Sequence, residues 1–541
     1  MGNASSETAV TTASVANPAP SIEVLQSQNA ALIEQNRYLR EQLDLLKRHI
    51  FGHKSEKLPP SLMSDSPDLF GLDPVQAKPS VIHVPAHQRE VVQAGHGRVA
   101  LPDNLPCEDI VLDVPESEKT CPCCGKPREH IGNDLREELD IAPPQFHKRR
   151  YIRPKYACRQ CTECGVAQAK PAVAVIDKGI PSVGLLVWIV LSKYLDHLPL
   201  HRIASQFKRW GVDVPEATMV GWLAAIFDLL GPIHRAMEHE IRQCGCIHAD
   251  ETTLRVQRGE KDKRGLGKSS VDYLWAMLGR GPDGTPVGVS FLYADGRQHA
   301  VAKSLLEGVE SGYLITDGYP AYDALCLQHC GIVHAACWAH ARRKFHEALQ
   351  CGNTMASHPL DDIRRIYQAQ HRIDALVDAL GKRWKRFGRK LSQERIDQIV
   401  LDRRGKWMKP WVEHIKAANL KARHSVLPKG KLGEAIGYLH NQFPKLEQVL
   451  RHARLSLDNN VIERAIRAVA VGRKNWLFAG SEEGAKRAAL LISLVGTCRM
   501  LDIDPALYLK DVLIQAKTQS ASPKPVYEGL TPSQWKKGQA T

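Results

Sequence analysis

The spacing of apolar positions changes several times along the chain, and each change predicts a different element. Leu25, Leu32, Leu39 and Leu46 recur every seven residues, as do Ile22, Asn29, Asn36, Leu43 and Ile50. Leucine at d with asparagine at two a positions predicts a parallel two-stranded coiled coil over 21–52. Its buried asparagines fix register and strand number at some cost in stability. Residues 1–20, rich in Ala, Ser and Thr, are expected to be disordered. Residues 53–115 carry Pro, Asp and Val without long periodicity and read as a linker with a few short strands. From 175 to 240 the pattern is helical. One helix is expected over 200–211, closed by Gly211, then a turn at 212–215 and a second helix over 217–230. That order is the pattern of a helix-turn-helix DNA-binding element, and two ordinary packed helices produce it as well.

After 245 strands and helices alternate. Strands are expected at 246–256, 271–279 and 287–294, separated by the basic stretch 258–265 and a Gly-Pro-Asp-Gly turn at 281–284. A helix at 298–309, a strand at 312–316, a helix at 319–329 and a strand at 331–337 follow. Three antiparallel strands followed by helix, strand, helix and strand is the order of an RNase H-like fold. The expected fold class is therefore multidomain α/β: a coiled coil, then a zinc-ribbon module at 116–170, then an RNase H-like catalytic core with a helical insertion. That core occupies 242–347 and 456–500, the basic insertion 348–455, and a C-terminal segment 501–541.

Composition narrows the partner. The 541 residues carry a net charge of +14, which favours a polyanion. No apolar run approaches the roughly 20 residues that span a bilayer, and the N-terminus lacks a basic stretch followed by an apolar one. The protein is expected in the cytoplasm, on nucleoid DNA. Fourteen cysteines in that reducing compartment point to metal ligands and buried thiols rather than disulfides.

Two C-x2-C knuckles, Cys121/Cys124 and Cys158/Cys161, suit a tetrahedral zinc held by four thiolates. Cys161/Cys164 is a competing knuckle and Cys123 a spare thiol. The module has few large apolar residues, and zinc binding would replace its missing core.

Three acids carry the candidate chemistry. Asp250 lies in the strand-like run Cys246-Ile247-His248-Ala249-Asp250-Glu251, Asp317 ends the strand 312–316, and Glu463 lies on the helix expected at 458–470. Neighbours in a strand face opposite ways, so Asp250 and Glu251 cannot both serve one site; one is a ligand candidate and the other a structural neighbour. Carboxylates about 4 Å apart repel by ~4 kcal/mol per pair at an effective dielectric near 20. Such a cluster requires protons or cations, and hard oxygen ligands suit Mg2+ or Mn2+. Two such ions would clamp the attacking and leaving oxygens of a phosphodiester. Arg464, Arg467, Arg473 and Lys474 follow Glu463 and are the candidate DNA contacts; a solvated basic helix gives the same sequence.

The blocks around these acids resemble the IS66-family transposases of the DDE class over nearly the full chain. They include Phe51-Gly52-His53-Lys54-Ser55-Glu56-Lys57-Leu58, the cysteine ribbon, His248 to Thr252 and Thr316-Asp317-Gly318-Tyr319. Cys337-Trp338-Ala339-His340 through Phe345, and Leu457-Asp458-Asn459-Asn460 through Phe478, complete the set. The resemblance implies that Asp250, Asp317 and Glu463 form the catalytic triad, which makes Asp250 the ligand and Glu251 its outward-facing neighbour. It also implies that Cys337 and His340 belong to a C-x2-H signature. Cys123 departs from the family's first knuckle. The expected function is strand cleavage at the ends of an insertion sequence and transfer of the 3′ hydroxyl into target DNA. The alternative is a catalytically inactive DNA-binding regulator of the element. The implied partners are element-end and target DNA, a second copy through the coiled coil, and small accessory proteins.

Overall fold

The computed structural model describes residues 144–157, 166–261, 267–328 and 331–539, together with Asn29, Ile33, Gln35, Asn36, Leu39 and Lys126. The first 20 residues, most of the heptad run, the linker and all the knuckle cysteines lie outside the described residues. Asn29, Ile33, Gln35, Asn36 and Leu39 are helical and exposed. The chain divides into two compact units, Pro60–Arg149 and the remainder. Every strand and helix from Arg150 onward belongs to the second unit.

A short antiparallel hairpin, β1 (Lys155–Ala157) with β2 (Val166–Gln168), brackets the second knuckle. Arg153 Nε donates to the Ala169 carbonyl at 2.8 Å, and Gln168 Nε2 to that of Arg153 at 3.1 Å. Three helices come after it: α1 (Val183–Tyr194), α2 (Leu200–Arg209) and α3 (Glu216–Gln243). Ser182 caps α1 through its hydroxyl, 3.3 Å from the Leu185 N–H. Trp188 of α1 stacks against Phe207 and Trp210 at 5.3 and 5.5 Å, which fixes α2 across α1.

Helix α3 does not stop near 230, where the expected helix ended, but runs through Pro232 to Gln243, 28 residues in all. Its length and composition alone would let it cross a membrane. Met219, Trp222, Leu223, Ile226, Leu230, Ile233, Met237 and Ile241 are instead buried, and the helix packs on the sheet and on neighbouring helices. That tertiary packing outweighs the hydrogen bond Pro232 removes.

The sheet has five strands: β3 (Cys246–Lys261), β4 (Gly267–Arg280), β5 (Pro286–Ala294), β6 (Ser311–Thr316) and β7 (Gly331–Ala336), in the order β5-β4-β3-β6-β7. The first three are antiparallel; β6 and β7 join parallel to β3. Helices α4 (His299–Leu305) and α5 (Pro320–Gln328) make the crossovers. The basic stretch at 258–265 is not a plain connection. Strand β3 runs on to Lys261 and β4 starts at Gly267, so the two extend into a long arm.

Five helices come next: α6 (Trp338–Gln350), α7 (Ser357–Arg386), α8 (Gln393–Arg403), α9 (Lys409–Ala422) and α10 (Lys431–Leu446). Trp338, Phe345, Ile363, Ile366, Met408, Val412, Ile415, Leu439 and Phe443 form one buried cluster with Ile315 and Ala335 of the sheet, so this helical region shares a core with β6 and β7. Buried Arg404 ties the region together. Its guanidinium donates to the carbonyls of Val449, His452 and Leu455 at 2.8–3.0 Å and to Gln370 at 2.9 Å. The chain then forms α11 (Asn460–Trp476), α12 (Glu482–Met500), α13 (Pro505–Ser520) and α14 (Pro532–Gln539). Ile462, Val469, Ala485 and Ala489 of α11 and α12 pack against Leu254, Val256, Leu274, Ala276, Val289 and Phe291.

Helix α12 also seals the sheet edge. Thr497 Oγ1 accepts the Val289 N–H and donates to the Val289 carbonyl, both at 3.0 Å, and Ser493 Oγ accepts the Phe291 N–H at 2.7 Å. Strand β5 thereby exposes fewer unpaired groups to another chain.

Candidate active site

Strand pairing brings two of the three acids together. β6 pairs with β3 only at Cys246, Ile247 and His248, ending at His248 opposite Ile315. Asp250 and Asp317 each lie two residues beyond that last pair, at the same end of adjacent parallel strands. Gly318 allows the turn that follows. Its φ is +94°, and a Cβ there would sit 2.8 Å from the Gln442 side chain. The Asp317 carboxylate accepts the Tyr319 N–H at 2.9 Å, and Tyr438 of α10 donates its hydroxyl to the Asp317 carbonyl at 2.7 Å.

Beyond His248 the edge of β3 has lost its strand partner, and α11 with its flanks fills that edge. Asn459, wholly buried, donates its amide to the Ala249 carbonyl at 2.9 Å, and its Oδ1 accepts from His248 Nδ1 at 2.9 Å. Arg473 near the other end of the helix donates to the Thr253 carbonyl and, at 2.6 Å, to Thr253 Oγ1. The segment after the helix adds a short parallel bridge, Ala479 N–H to Arg255 O at 2.8 Å and Gln257 N–H to Ala479 O at 2.9 Å. Helix α11 is thus stitched along β3 from end to end, with Glu463 in its first turn. An acid there is also favoured by the unpaired N–H groups of the helix start. Asn459 does not cap its own helix. Asp458 serves instead, its Oδ1 accepting the Asn460 N–H at 3.2 Å.

The charges in this site oppose one another. Burial raises the Asp250 carboxyl to about 7, with the Asp317 charge the next cause and Glu251 and Glu463 adding to it. Such a donor set, in which Arg343 reaches only Glu463, suits a hard divalent ion.

Glu251 does not face outward. Its side chain is 4% exposed, paired with Arg297 and 3.5 Å from the Tyr322 hydroxyl. Its cross-strand partner is the wholly buried Trp275, so the face opposite the site is core here, not solvent. Arg297 in turn lies 4.1 Å over the Tyr319 ring. Burial raises the Glu251 carboxyl, against the pull of Arg297.

Glu463 has its own neighbours. Arg343 Nη2 donates to Oε2 at 3.3 Å, and His340 Nδ1 lies 3.7 Å from Oε1. Of the basic residues that follow, Arg464, Arg467 and Lys474 are exposed, whereas Arg473 is half-buried in its bonds to Thr253. Asn459, Tyr438 and Arg343 were not singled out by sequence reasoning. An Asp-Asn-Asn run before a helix marks a capping site, but nothing local says that Asn459 would bridge to a strand 210 residues away.

Comparison with known proteins gives the family. The family model described as "Transposase IS66 family" matches residues 178–487, which contain all three acids. The "zinc-finger binding domain of transposase IS66" matches 118–162, and "Transposase C of IS166 homeodomain" matches 38–110. Similar proteins occur in Sinorhizobium fredii (strain NBRC 101917 / NGR234). The uncharacterized protein y4jD is 30% identical over 522 residues, 93% of this chain and 95% of its own. The uncharacterized protein y4qI is 31% identical over 521 residues, 94% and 91% of the two. With a family match over more than half its length and relatives covered almost end to end, the chain belongs to the IS66 family of transposases.

Proposed function

We propose that this transposase is of the DDE class, cutting one DNA strand at the ends of its insertion sequence and joining the freed 3′ hydroxyl to target DNA. Asp250, Asp317 and Glu463 are the catalytic residues. The observation that carries this reading is the place of Asp250 and Asp317, each two residues beyond the last pair at the same end of adjacent parallel strands, where burial first and the Asp317 charge next raise the Asp250 carboxyl to about 7. The strand order β5-β4-β3-β6-β7 with α11 along β3 supports it, and we read it as an RNase H-like core.

The three carboxylates would hold two Mg2+ or Mn2+ ions, which supply charge neutralisation and an acidified water or hydroxyl at the scissile phosphate. Tyr438 and the Gly318 turn keep Asp317 in position, and Asn459 sets the height of Glu463 along β3. Exposed Arg464, Arg467 and Lys474 would hold the DNA backbone beside the site, where phosphate contacts fix register rather than sequence. Arg473 would act from its anchored position on Thr253. The zinc-finger domain supports a structural zinc, for which Cys121, Cys124, Cys158 and Cys161 are the proposed ligands. It would bind element ends together with the α2–α3 region, while the N-terminal heptads pair two copies of the chain on nucleoid DNA in the cytoplasm.

A strand-transfer assay with DNA carrying the element ends and Mg2+ tests the proposal. Wild-type protein is expected to cut and join, and Asp317→Ala to do neither. Joining that survives Asp317→Ala overturns the assignment of that residue. Binding without cleavage by the wild type would instead make the chain a DNA-binding regulator.

A further inference from the structure

Cys337, His340 and Glu463 come from three different places, the end of β7, the first turn of α6 and the first turn of α11. Yet their ligand atoms all lie within 4.8 Å of one another. His340 Nδ1 and Glu463 Oε1 are buried atoms without hydrogen-bond partners, and they face each other across 3.7 Å. Two such atoms left unpaired would each cost free energy that one bound cation removes. Cys337 lies at the bottom of the cluster, wholly buried, and its sulfur receives the Asn459 N–H at 3.2 Å. Burial pushes the Cys337 thiol up to about 12, with the Asn459 N–H acting against it, so an ion that binds there displaces the thiol proton.

We propose that Cys337, His340 and Glu463 form a second metal site, separate from the cysteine knuckles, that takes a borderline divalent ion of the Zn2+ type. Thiolate and imidazole select such an ion over Mg2+. A tetrahedral zinc with bonds of 2.0–2.3 Å holds its ligand atoms roughly 3.4 Å apart, close to the 3.7 Å between His340 and Glu463. Three protein ligands leave a fourth position open to water. Glu463 would commit Oε1 to this ion and keep Oε2, now 3.3 Å from Arg343, for another partner. The site would then orient the carboxylate that the proposed chemistry uses, although its existence does not depend on that chemistry.

The test is zinc content of the full chain after equilibrium dialysis against Zn2+ under reducing conditions. The knuckles account for one equivalent, so wild-type protein is expected to hold two per chain. His340→Gln and Glu463→Gln, both at partly exposed positions, and Cys337→Ser are each expected to hold one fewer while still unfolding cooperatively. A wild-type content of one or less overturns the site, and so does equal content in the wild type and all three variants. The wild-type count stands even if a variant fails to fold. DNA cleavage is not the readout, so loss of the catalytic proposal and loss of this site would be seen separately.

Discussion

The side-chain amide of Asn459 donates to the carbonyl of Ala249 at 2.9 Å, linking the residue before Asp250 to the residue before the helix that carries Glu463. The same side chain accepts from His248, and the Asn459 backbone N–H reaches Cys337. Asn459→Ala would leave the Ala249 carbonyl and a buried imidazole N–H without partners. Each such loss costs about 1–3 kcal/mol, so a drop of about 2–6 kcal/mol is expected in urea unfolding. Strand cleavage should be lost as well, because Glu463 is no longer held level with Asp250. A loss below about 1 kcal/mol would show that Asn459 is not what fixes the helix.

Asp250 should make the metal-free protein less stable as pH rises. Its folded value near 7 lies above an unfolded value of about 3.9. Folding therefore favours the protonated acid, and that contribution is full below pH 4 and lost by pH 7. The gap corresponds to on the order of 4 kcal/mol. His248, lowered to about 4 by burial, acts in the opposite sense between 4 and 6.5, so the wild-type curve alone would hide the effect. The difference between Asp250→Asn and wild type isolates it. The variant should gain relative stability from pH 4 to 7 in chelator and level off above. Added Mg2+ should raise the wild-type melting temperature at pH 8 and leave the variant nearly unmoved. A flat difference across that range would contradict the charge cluster.

Much of this site was legible in the chain because its parts are local. A strand-like run through Asp250, another ending before Asp317 and a helix-like run around Glu463 placed the acids on two strands and a helix, as in β3, β6 and α11. What holds them together was not legible. The bonds from Asn459 to Ala249 and from Arg473 to Thr253 join residues more than 200 positions apart, and contacts of that kind leave no period. The expected end of a helix at 230 failed for a related reason: burial along α3 carries the helix on to Gln243. Glu251 misled because alternation gives the opposite face without saying whether that face meets water or Trp275. Most of the heptad run and all the knuckle cysteines lie outside the described residues.

Thr497 offers a test of the sheet edge with little change in shape. Its hydroxyl both accepts from and donates to the backbone of Val289. Thr497→Val keeps the branching and leaves two buried backbone groups unpaired, which is expected to cost about 1–3 kcal/mol in denaturant unfolding. It should also increase association of the protein with itself, measured by light scattering, since β5 becomes a freer edge. A neutral variant on both counts would show that α12 covers the edge by packing alone.

The basic residues after Glu463 should separate into two kinds. Arg467 is exposed, so Arg467→Ala is expected to leave stability within about 0.5 kcal/mol. It should weaken binding to DNA of any sequence and lower the salt slope of binding by about 1. Arg473 bonds to the Thr253 carbonyl and hydroxyl, and Arg473→Ala frees that end of the helix from β3. Hydrogen bonds to a charged group are worth about 1.5–3 kcal/mol, so its melting temperature should fall, with cleavage declining more than binding. Paired measurements of urea unfolding and of DNA affinity across salt concentrations decide the matter. If Arg473→Ala changed only the salt slope, its contact with Thr253 would not be what fastens α11 to the strand.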